Sequence, residues 1–290
     1  METMAKPHVL VIDGMNFLHR ARSGWTMGPA PVVFYFMRNF RALVEQFKPT
    51  RVYFVLEGHP AQRIAMLPEY KANRLVEQGT PEHQELAKFF EQVGTIVKHL
   101  SMHFPVSVIR HPRFECDDTI YNLIKRSSSA IEWTVASNDS DFTQLLNEFG
   151  NVKVYNPMMK TLVEATDYDY VTWKSLRGDG SDNIPGIPGV GDKGAEAYLD
   201  DPEALEKLLS VPENARIFER NMELNQFITW SDEDALEMLC SSSTKDWEPL
   251  RELFTGYDFK SLLKDKTWDK FVSTFEPLWG PNDAVLSENP

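Results

Sequence analysis

An α/β fold with a mostly parallel central sheet is predicted by three features of this 290-residue chain. Runs rich in Val, Ile, Phe and Tyr recur at 8–13, 51–57, 106–112, 132–137 and 153–157, as strands do. Helical patterns lie between them. Strands that alternate with helices in this way join through crossovers and pair in parallel.

The elements follow in chain order. "HVLVID" is an apolar run that closes on Asp13. Residues 32–47 carry a helical pattern, and "VYFVLEG" then ends a strand at Glu57. The clearest helix spans 82–104, with Leu86, Phe89, Phe90, Val93, Ile96, Val97 and Leu100 spaced by three and four. "VSVIRHP" is the third strand, and "RFECDDTI" opens the next helix with Glu115, Asp117 and Asp118. "EWTVASNDSD" leaves its strand into Asp139 and Asp141. From about Tyr168 only short helical segments remain, broken by Gly, Pro, Asn and Asp, so an all-helical lobe is expected there. "TKDWEPLRELF" and "TWDKFVSTFEPLW" are expected to be amphipathic helices around that lobe's own core. The tail from Gly280 is expected to fray.

Composition narrows the class. No run of 18 apolar residues occurs, so no transmembrane helix is expected, and "HVLVID" is too short for a signal peptide. The two cysteines, Cys116 and Cys240, suit a reducing interior with no disulfide framework. The formal charge of −13 argues against nucleic acid unless many of the acids are gathered in one metal site.

The map of acids bears on that condition. Asp13, Glu57, the Glu115–Asp118 group and the Asp139–Asp141 pair all follow strands, at the carboxyl edge where open α/β sheets bind ligands. Asp139 and Asp141, two apart in extended chain, are expected to face the same way, and Glu115 and Asp118 to share a helix face. Asp179 and Asp182 bring the set to nine. Each acid alone has a plain structural reading as a turn, a cap or a partner of the helix dipole. Nine in one cleft would repel, and hard cations such as Mg²⁺ or Mn²⁺ would relieve them. Two such ions form the clamp used in phosphodiester hydrolysis. The histidines offer no rival: His99 and His103 are an i, i+4 pair, but no Glu follows His99. No Walker loop, Ser–His–Asp order or G-x-G-x-x-G fingerprint is present.

Two further segments concern phosphate. "QRIAMLPEYKANR" carries Arg63, Tyr70, Lys71 and Arg74 and leaves the same sheet edge as Glu57. Its plain reading is a solvated loop; its functional reading is phosphate neutralisation, with Tyr70 stacking on a base. "IPGIPGVGDKGA" places Gly186, Gly189 and Gly191 before a helix that begins near Asp192, with Lys193 adding a cation. It is either an inert helical hairpin or a backbone contact to duplex phosphates, independent of base sequence.

Together "VIDGMN", "FVLEG", "LPEYKANR", "FECDDTI", "SNDSDFTQLL" and "GDGSDNIPGIPGVGDKGA" resemble the structure-specific 5′-nucleases. That group includes flap endonucleases, the 5′-nuclease domain of bacterial DNA polymerase I, and the phage 5′→3′ exonucleases also described as ribonuclease H. The likeness covers roughly residues 8–200 and looks closest to the phage members. It implies a PIN-like core at 1–167 with a small helical arch at about 58–82, a helix–hairpin–helix-type duplex anchor at 168–205, and a helical region at 206–290. Asp13, Glu57, Glu115, Asp117 and Asp118 match the acids of the first metal site, and Asp139, Asp141, Asp179 and Asp182 those of the second. Lys71 and Arg74 match the basic residues of the arch. Gly186, Gly189, Gly191 and Lys193 match the anchor, where the family often holds K⁺. Glu57 stands where most members have Asp, and Cys116 where most have Ala. The resemblance implies a monomeric, cytoplasmic Mg²⁺-dependent enzyme, in host cytoplasm if phage-encoded. Its substrates would be branched, nicked or 5′-ended duplex DNA and RNA–DNA hybrids, with replication proteins as partners. The rival readings are a PIN-type ribonuclease, which lacks the glycine turn, a non-catalytic junction-binding protein, which would not need nine acids, and a non-nuclease Mg²⁺ phosphotransferase or phosphatase, which would not need the turn.

Overall fold

Strands buried on both faces set the frame. A computed structural model describes residues 6–24, 28–241, 243 and 245–278; the tail from Gly280 lies outside the described residues. β1 (His8–Asp13) and β2 (Arg51–Leu56) are buried almost throughout, as continuous apolar strands are in a parallel sheet covered on both sides. β3 (Ser107–Arg110), β4 (Glu132–Ala136) and β5 (Val152–Asn156) complete the parallel set. β6 (Thr161–Leu162) adds antiparallel to β5 at one edge. A two-residue hairpin, β7 (Gly178–Asp179) with β8 (Ile184–Pro185), stands apart, and β9 (Leu239–Cys240) closes the other edge against β3. The order is β6-β5-β4-β1-β2-β3-β9. The chain builds outward from β1 through β2 to β3, then returns to place β4 on the other side of β1. That reversal opens a crevice at the carboxyl ends of β1 and β4.

The helices are α1 (Gly14–Gly24), α2 (Pro31–Phe47), α3 (Ala61–Met66), α4 (Pro81–His103), α5 (Cys116–Lys125), α6 (Thr143–Glu148), α7 (Tyr170–Arg177), α8 (Asp192–Asp200), α9 (Pro202–Leu209), α10 (Pro212–Asn225), α11 (Asp232–Leu236), α12 (Glu248–Gly256), α13 (Lys260–Leu263) and α14 (Asp265–Phe275). The longest, α4, starts where its sequence says it should. Pro81 occupies the first turn, and Thr80 Oγ1 accepts from the His83 amide at 3.2 Å. The segment expected as an arch folds compactly into α3 and a 3₁₀ turn at Ala72–Arg74.

Alternation along the strands splits the core in two. Leu10, Ile12 and Phe54 face the layer of α1, α2 and α4. Val9, Val11, Tyr53 and Val55 face α5 and α6. Asp13 continues the Val9–Val11 face, and Glu57 continues the Tyr53–Val55 face. Both acids therefore project from the sheet on the side where α5 lies.

The carboxyl-terminal region differs from expectation in two ways. It is not all-helical, since β7, β8 and β9 lie within it. Its final helices also have no core of their own. Leu250, Phe254, Phe271 and Phe275 belong to one cluster with Phe36, Phe40 and Phe104 of the main fold. The Phe275 ring lies 5.1 Å from Phe40 and 5.0 Å from Phe104. Periodicity identifies an apolar face but not its partner. Here α2 and α4 leave phenylalanines uncovered, and α12 to α14 are too short to bury their own.

Phe271→Ala should therefore lower the stability of the whole protein by about 3–5 kcal/mol in a single cooperative denaturant transition. A separate low-stability transition, with the main one unmoved, would show an independent lobe.

Candidate active site

Backbone geometry gathers the acids at the crevice. Ser137, just past β4, donates from Oγ to Asp13 Oδ2 at 2.8 Å and accepts from the Asp139 amide at 3.0 Å, so one hydroxyl links two strand ends. The Cys116 amide, at the start of α5, lies 3.4 Å from Glu57 Oε2, and Cys116 Sγ lies 3.6 Å from Asp13 Oδ1. The helix that follows delivers Asp117 and Asp118 in its first turn. One carboxylate oxygen each from Glu115, Asp117 and Asp118 fall within 4.8 Å of one another. Asp139 and Asp141 line one cleft of about 330 Å³ with Asp179 and Asp182. They are not in extended chain as expected: Asp139 caps the 3₁₀ turn Ser140–Phe142, with its Oδ1 accepting from the Asp141 amide at 2.9 Å.

Five of the nine acids have protein counter-charges. Arg63 Nη1 reaches Glu115 Oε2 at 2.7 Å and Asp118 Oδ2 at 2.5 Å, and Nη2 reaches Asp118 Oδ1 at 2.9 Å. Lys71 pairs with Glu115 and lies 3.7 Å from Asp182, which Arg74 also pairs. Lys174 Nζ sits 2.5 Å from Asp141 Oδ1 and 2.8 Å from Asp179 Oδ2. Asp13, Glu57, Asp117 and Asp139 have no ion pair among the described residues.

Protonation follows this division except at Asp118. Burial, then the Asp117 charge, pushes Glu57 up to about 8. Asp139 is exposed at the surface of the cleft, yet the dense protein around it desolvates it. That desolvation, with Asp141 next, raises it to about 7. Burial raises Asp13 as well, and Asp117 adds to the rise. Asp118 goes up to about 6 through burial and Asp117, against the pull of Arg63. Asp179 goes the other way: burial works to raise it, but Lys174 and Ser181 outweigh that and hold it at about 2. For Lys71 and Lys174 burial works to lower the pKa, and the neighbouring carboxylates raise it above the ordinary lysine value. Asp13, Glu57, Asp118 and Asp139 thus all feel the Asp117 charge. A donor set of carboxylate oxygens at mutual repulsion fits hard divalent cations.

Two residues expected to touch DNA are placed otherwise. Arg63 is 3% exposed, and besides its two acids it donates to the carbonyls of Leu224 and Gln226 at 2.9 and 3.0 Å. Its guanidinium is consumed inside the protein. Tyr70 is 6% exposed; its ring packs with Leu67, Ile184 and Leu224 and its hydroxyl lies 2.9 Å from Glu115 and 3.2 Å from Asp182. No ring face is left for a base. The sequence showed their nearness to the acids, but a basic or aromatic letter does not say which way its side chain turns.

Lys71 and Arg74 stay at the cleft, because their segment is fastened to the loop that carries Asp182. The Lys71 amide donates to the Asp182 carbonyl at 2.9 Å, and Asn73 Nδ2 to the Gly180 carbonyl at 3.0 Å. In the glycine turn, Gly186 serves the fold: a Cβ there would lie 2.2 Å from the Arg177 carbonyl group. Gly189 has a φ of +82°, which favours glycine. Gly191 caps α8 with extended backbone, and a Cβ there would meet nothing within 4 Å. Lys193 is exposed in the first turn of α8. Among the described residues no helix is long and apolar enough to cross a membrane.

Lys174 was missed from sequence. In the last turn of a helix a lysine reads as an ordinary partner of the helix dipole, and nothing in its spacing marks it.

Comparison with known proteins agrees with this picture. Residues 8–175 match the family model described as 5′-3′ exonuclease, N-terminal resolvase-like domain. The chain belongs to the 5′-3′ exonuclease family. The 5′-3′ exonuclease of Bacillus subtilis is 28% identical over 225 residues, spanning 69% of this chain and 72% of that protein. DNA polymerase I of Chloroflexus aurantiacus is 29% identical over 229 residues, 71% of this chain but 23% of that protein. The chain thus spans about a quarter to a third of the length of the DNA polymerase I relatives it matches first. The fold matches that of the bacteriophage T5 D15 flap endonuclease, solved with DNA and metal ions, at a TM-score of 0.63 and 18% identity, covering 92% of this chain and 97% of that one. In this member of the 5′-3′ exonuclease family the matched segment holds seven of the nine acids and ends before Asp179 and the glycine turn.

The acid cluster makes stability depend on pH and metal together. A carboxyl whose folded pKa is raised stabilises the fold below its unfolded value and loses that contribution as pH rises through the folded one. Glu57, moved from 4.5 to about 8, and Asp139, moved from 3.8 to about 7, place the window between pH 4 and 8. Asp179 acts oppositely, but only below pH 4. In chelator the melting temperature should fall across that window, and Mg²⁺ should restore it. Equal pH profiles with and without Mg²⁺ would leave the cluster without a metal.

Proposed function

We propose that this chain is a divalent-cation-dependent 5′→3′ exonuclease and 5′-flap endonuclease. It acts on nicked, branched or 5′-ended duplex DNA, with RNA–DNA hybrids as a further substrate. The reading is carried by four carboxylates without an ion pair among the described residues, Asp13, Glu57, Asp117 and Asp139, at the crevice of a chain in this family.

Asp13, Glu57 and Asp117, with Glu115, would hold one Mg²⁺ or Mn²⁺ ion. Asp139, Asp141, Asp179 and Asp182 would hold a second. Bound there, such ions supply Lewis-acid polarisation of a phosphodiester and a water of lowered pKa. The chain's own part is positional and electrostatic. Asp118 and Arg63 fix the start of α5, so that Asp117 meets the strand ends. Lys71, held by its amide to the loop of Asp182, keeps an ammonium beside the carboxylates, where charge on a cleaved phosphate would develop. Arg74, paired with Asp182 but 54% exposed at its side chain, would meet a 5′ strand entering the cleft.

The α7–turn–α8 unit is the proposed duplex anchor of helix–hairpin–helix type, and its turn is the proposed K⁺ position. Asn221 of α10 braces it through the carbonyls of Ser175 and Pro185, at 2.9 and 3.0 Å. The open face of Gly191 and the exposed Lys193 then meet backbone phosphates irrespective of sequence.

Labelled 5′-flap, nicked and RNA–DNA substrates, incubated with Mg²⁺ or Ca²⁺, test the reading. Asp117→Asn should slow single-turnover cleavage by about 10²-fold or more while duplex binding in Ca²⁺ persists. Gly191→Val, whose Cβ would meet nothing within 4 Å, and Lys193→Ala should weaken binding with the fold intact, and Lys193→Ala should flatten the salt dependence by about one phosphate. No cleavage of any of the three substrates would refute the proposal.

A further inference from the structure

The nine acids divide unequally between the two cation positions. In the first group Asp13, Glu57 and Asp117 have no ion pair among the described residues. In the second group only Asp139 has none. The difference is chiefly Lys174. Its side chain is 5% exposed, and its ammonium lies between Asp141 Oδ1 at 2.5 Å and Asp179 Oδ2 at 2.8 Å. The remaining contacts leave these acids little unmet demand. Tyr170 donates to Asp141 Oδ1 at 2.9 Å. Ser181 donates to Asp179 Oδ1 from its amide at 2.8 Å and from its hydroxyl at 2.6 Å. Asp182 is engaged by Arg74, with Lys71 3.7 Å away.

We propose that Lys174 is the resident counter-cation of the second acid group. A divalent cation must displace its ammonium from Asp141 and Asp179, so the second position is the weaker of the two. The inference rests on the two-cation reading above and adds a ranking that the acids alone do not carry.

The physical reason is that one ammonium and one divalent ion need the same oxygens. They also repel each other at the few ångströms this cleft allows, and the shielding of Lys174, Asp141 and Asp179 from water leaves that repulsion poorly screened. The geometry suits an exchange. Lysine carries a compact charge on a flexible four-carbon stem, and the stem of Lys174 rises from α7 into an open cleft of about 330 Å³. Arg177, one helical turn on, lines the same cleft but is held elsewhere: its guanidinium stacks 4.4 Å over Trp173 and pairs with Asp192 at 2.9 Å. Lys174 is therefore the cation placed to yield. It is a positioning residue, since it acts through the carboxylates.

Mn²⁺ titration of the whole chain without DNA, by calorimetry and by electron paramagnetic resonance of free Mn²⁺, tests this. The unaltered protein should bind one ion tightly and a second at least tenfold more weakly. Lys174→Met should tighten the second ion by tenfold or more with the first unchanged, and should melt earlier than the unaltered protein in chelator but not in Mn²⁺. Lys174→Arg, which keeps the charge, should retain the weak second site. If Lys174→Met does not fold, Lys174→Gln takes its place, with circular dichroism as the check. Two ions of equal affinity in the unaltered protein, or an unchanged second affinity in the folded neutral variant, would overturn the role of Lys174 alone. No Mn²⁺ bound by the unaltered protein would overturn the two-cation reading itself.

Discussion

Electrostatic repulsion around Asp117 is the constraint on which the rest of this architecture depends. Burial raises the pKa of Asp13, Glu57, Asp118 and Asp139, and the Asp117 charge adds to the rise in all four. A fold that only had to be stable would not hold four carboxylates without an ion pair at one crevice. Burying charge without a partner costs free energy, so the surrounding protein must be rigid enough to hold the groups against their repulsion.

That rigidity comes from neutral parts of the structure. The alternation of β1 and β2 sends Asp13 and Glu57 to one face, and a single serine ties β1 to the loop after β4. On the far side of the sheet, α2 and α4 are clamped by α12 to α14 through a phenylalanine cluster. The carboxyl-terminal helices therefore stiffen the strands that carry the acids while lying on the opposite face from them.

Cations then divide the acid cluster into a compensated and an uncompensated part. Arg63, Lys71, Arg74 and Lys174 are each assigned to particular acids, and two of them sit on a segment fastened to the Gly180–Asp182 carbonyls. The basic segment and the last acidic loop consequently form one structural unit, although more than a hundred residues separate Lys71 from Asp182. The net charge of −13 is compatible with a phosphate-bearing ligand because a good part of it is gathered here.

Local sequence pattern determined the five parallel strands, the long helices and the acids at their ends. These depend on local rules: apolar runs of strand length, three-and-four spacing, and the passage from a strand into a turn. Thus β1 runs over His8–Asp13 as expected, and the helix expected at 82–104 is α4 at Pro81–His103. Tertiary structure alone decided where the long side chains go. Arg63 and Tyr70 looked available, but packing of α3 against α5 and the end of α10 turned both inward. Lys174 looked like a helix-end lysine, but the fold of α7 over the loop after β4 put its ammonium between two acids. Likewise the last helices showed an apolar face without naming its partner, which proved to be the main core. A four-carbon stem or an apolar stripe can meet many neighbours, and only chain topology decides which of them lies within reach.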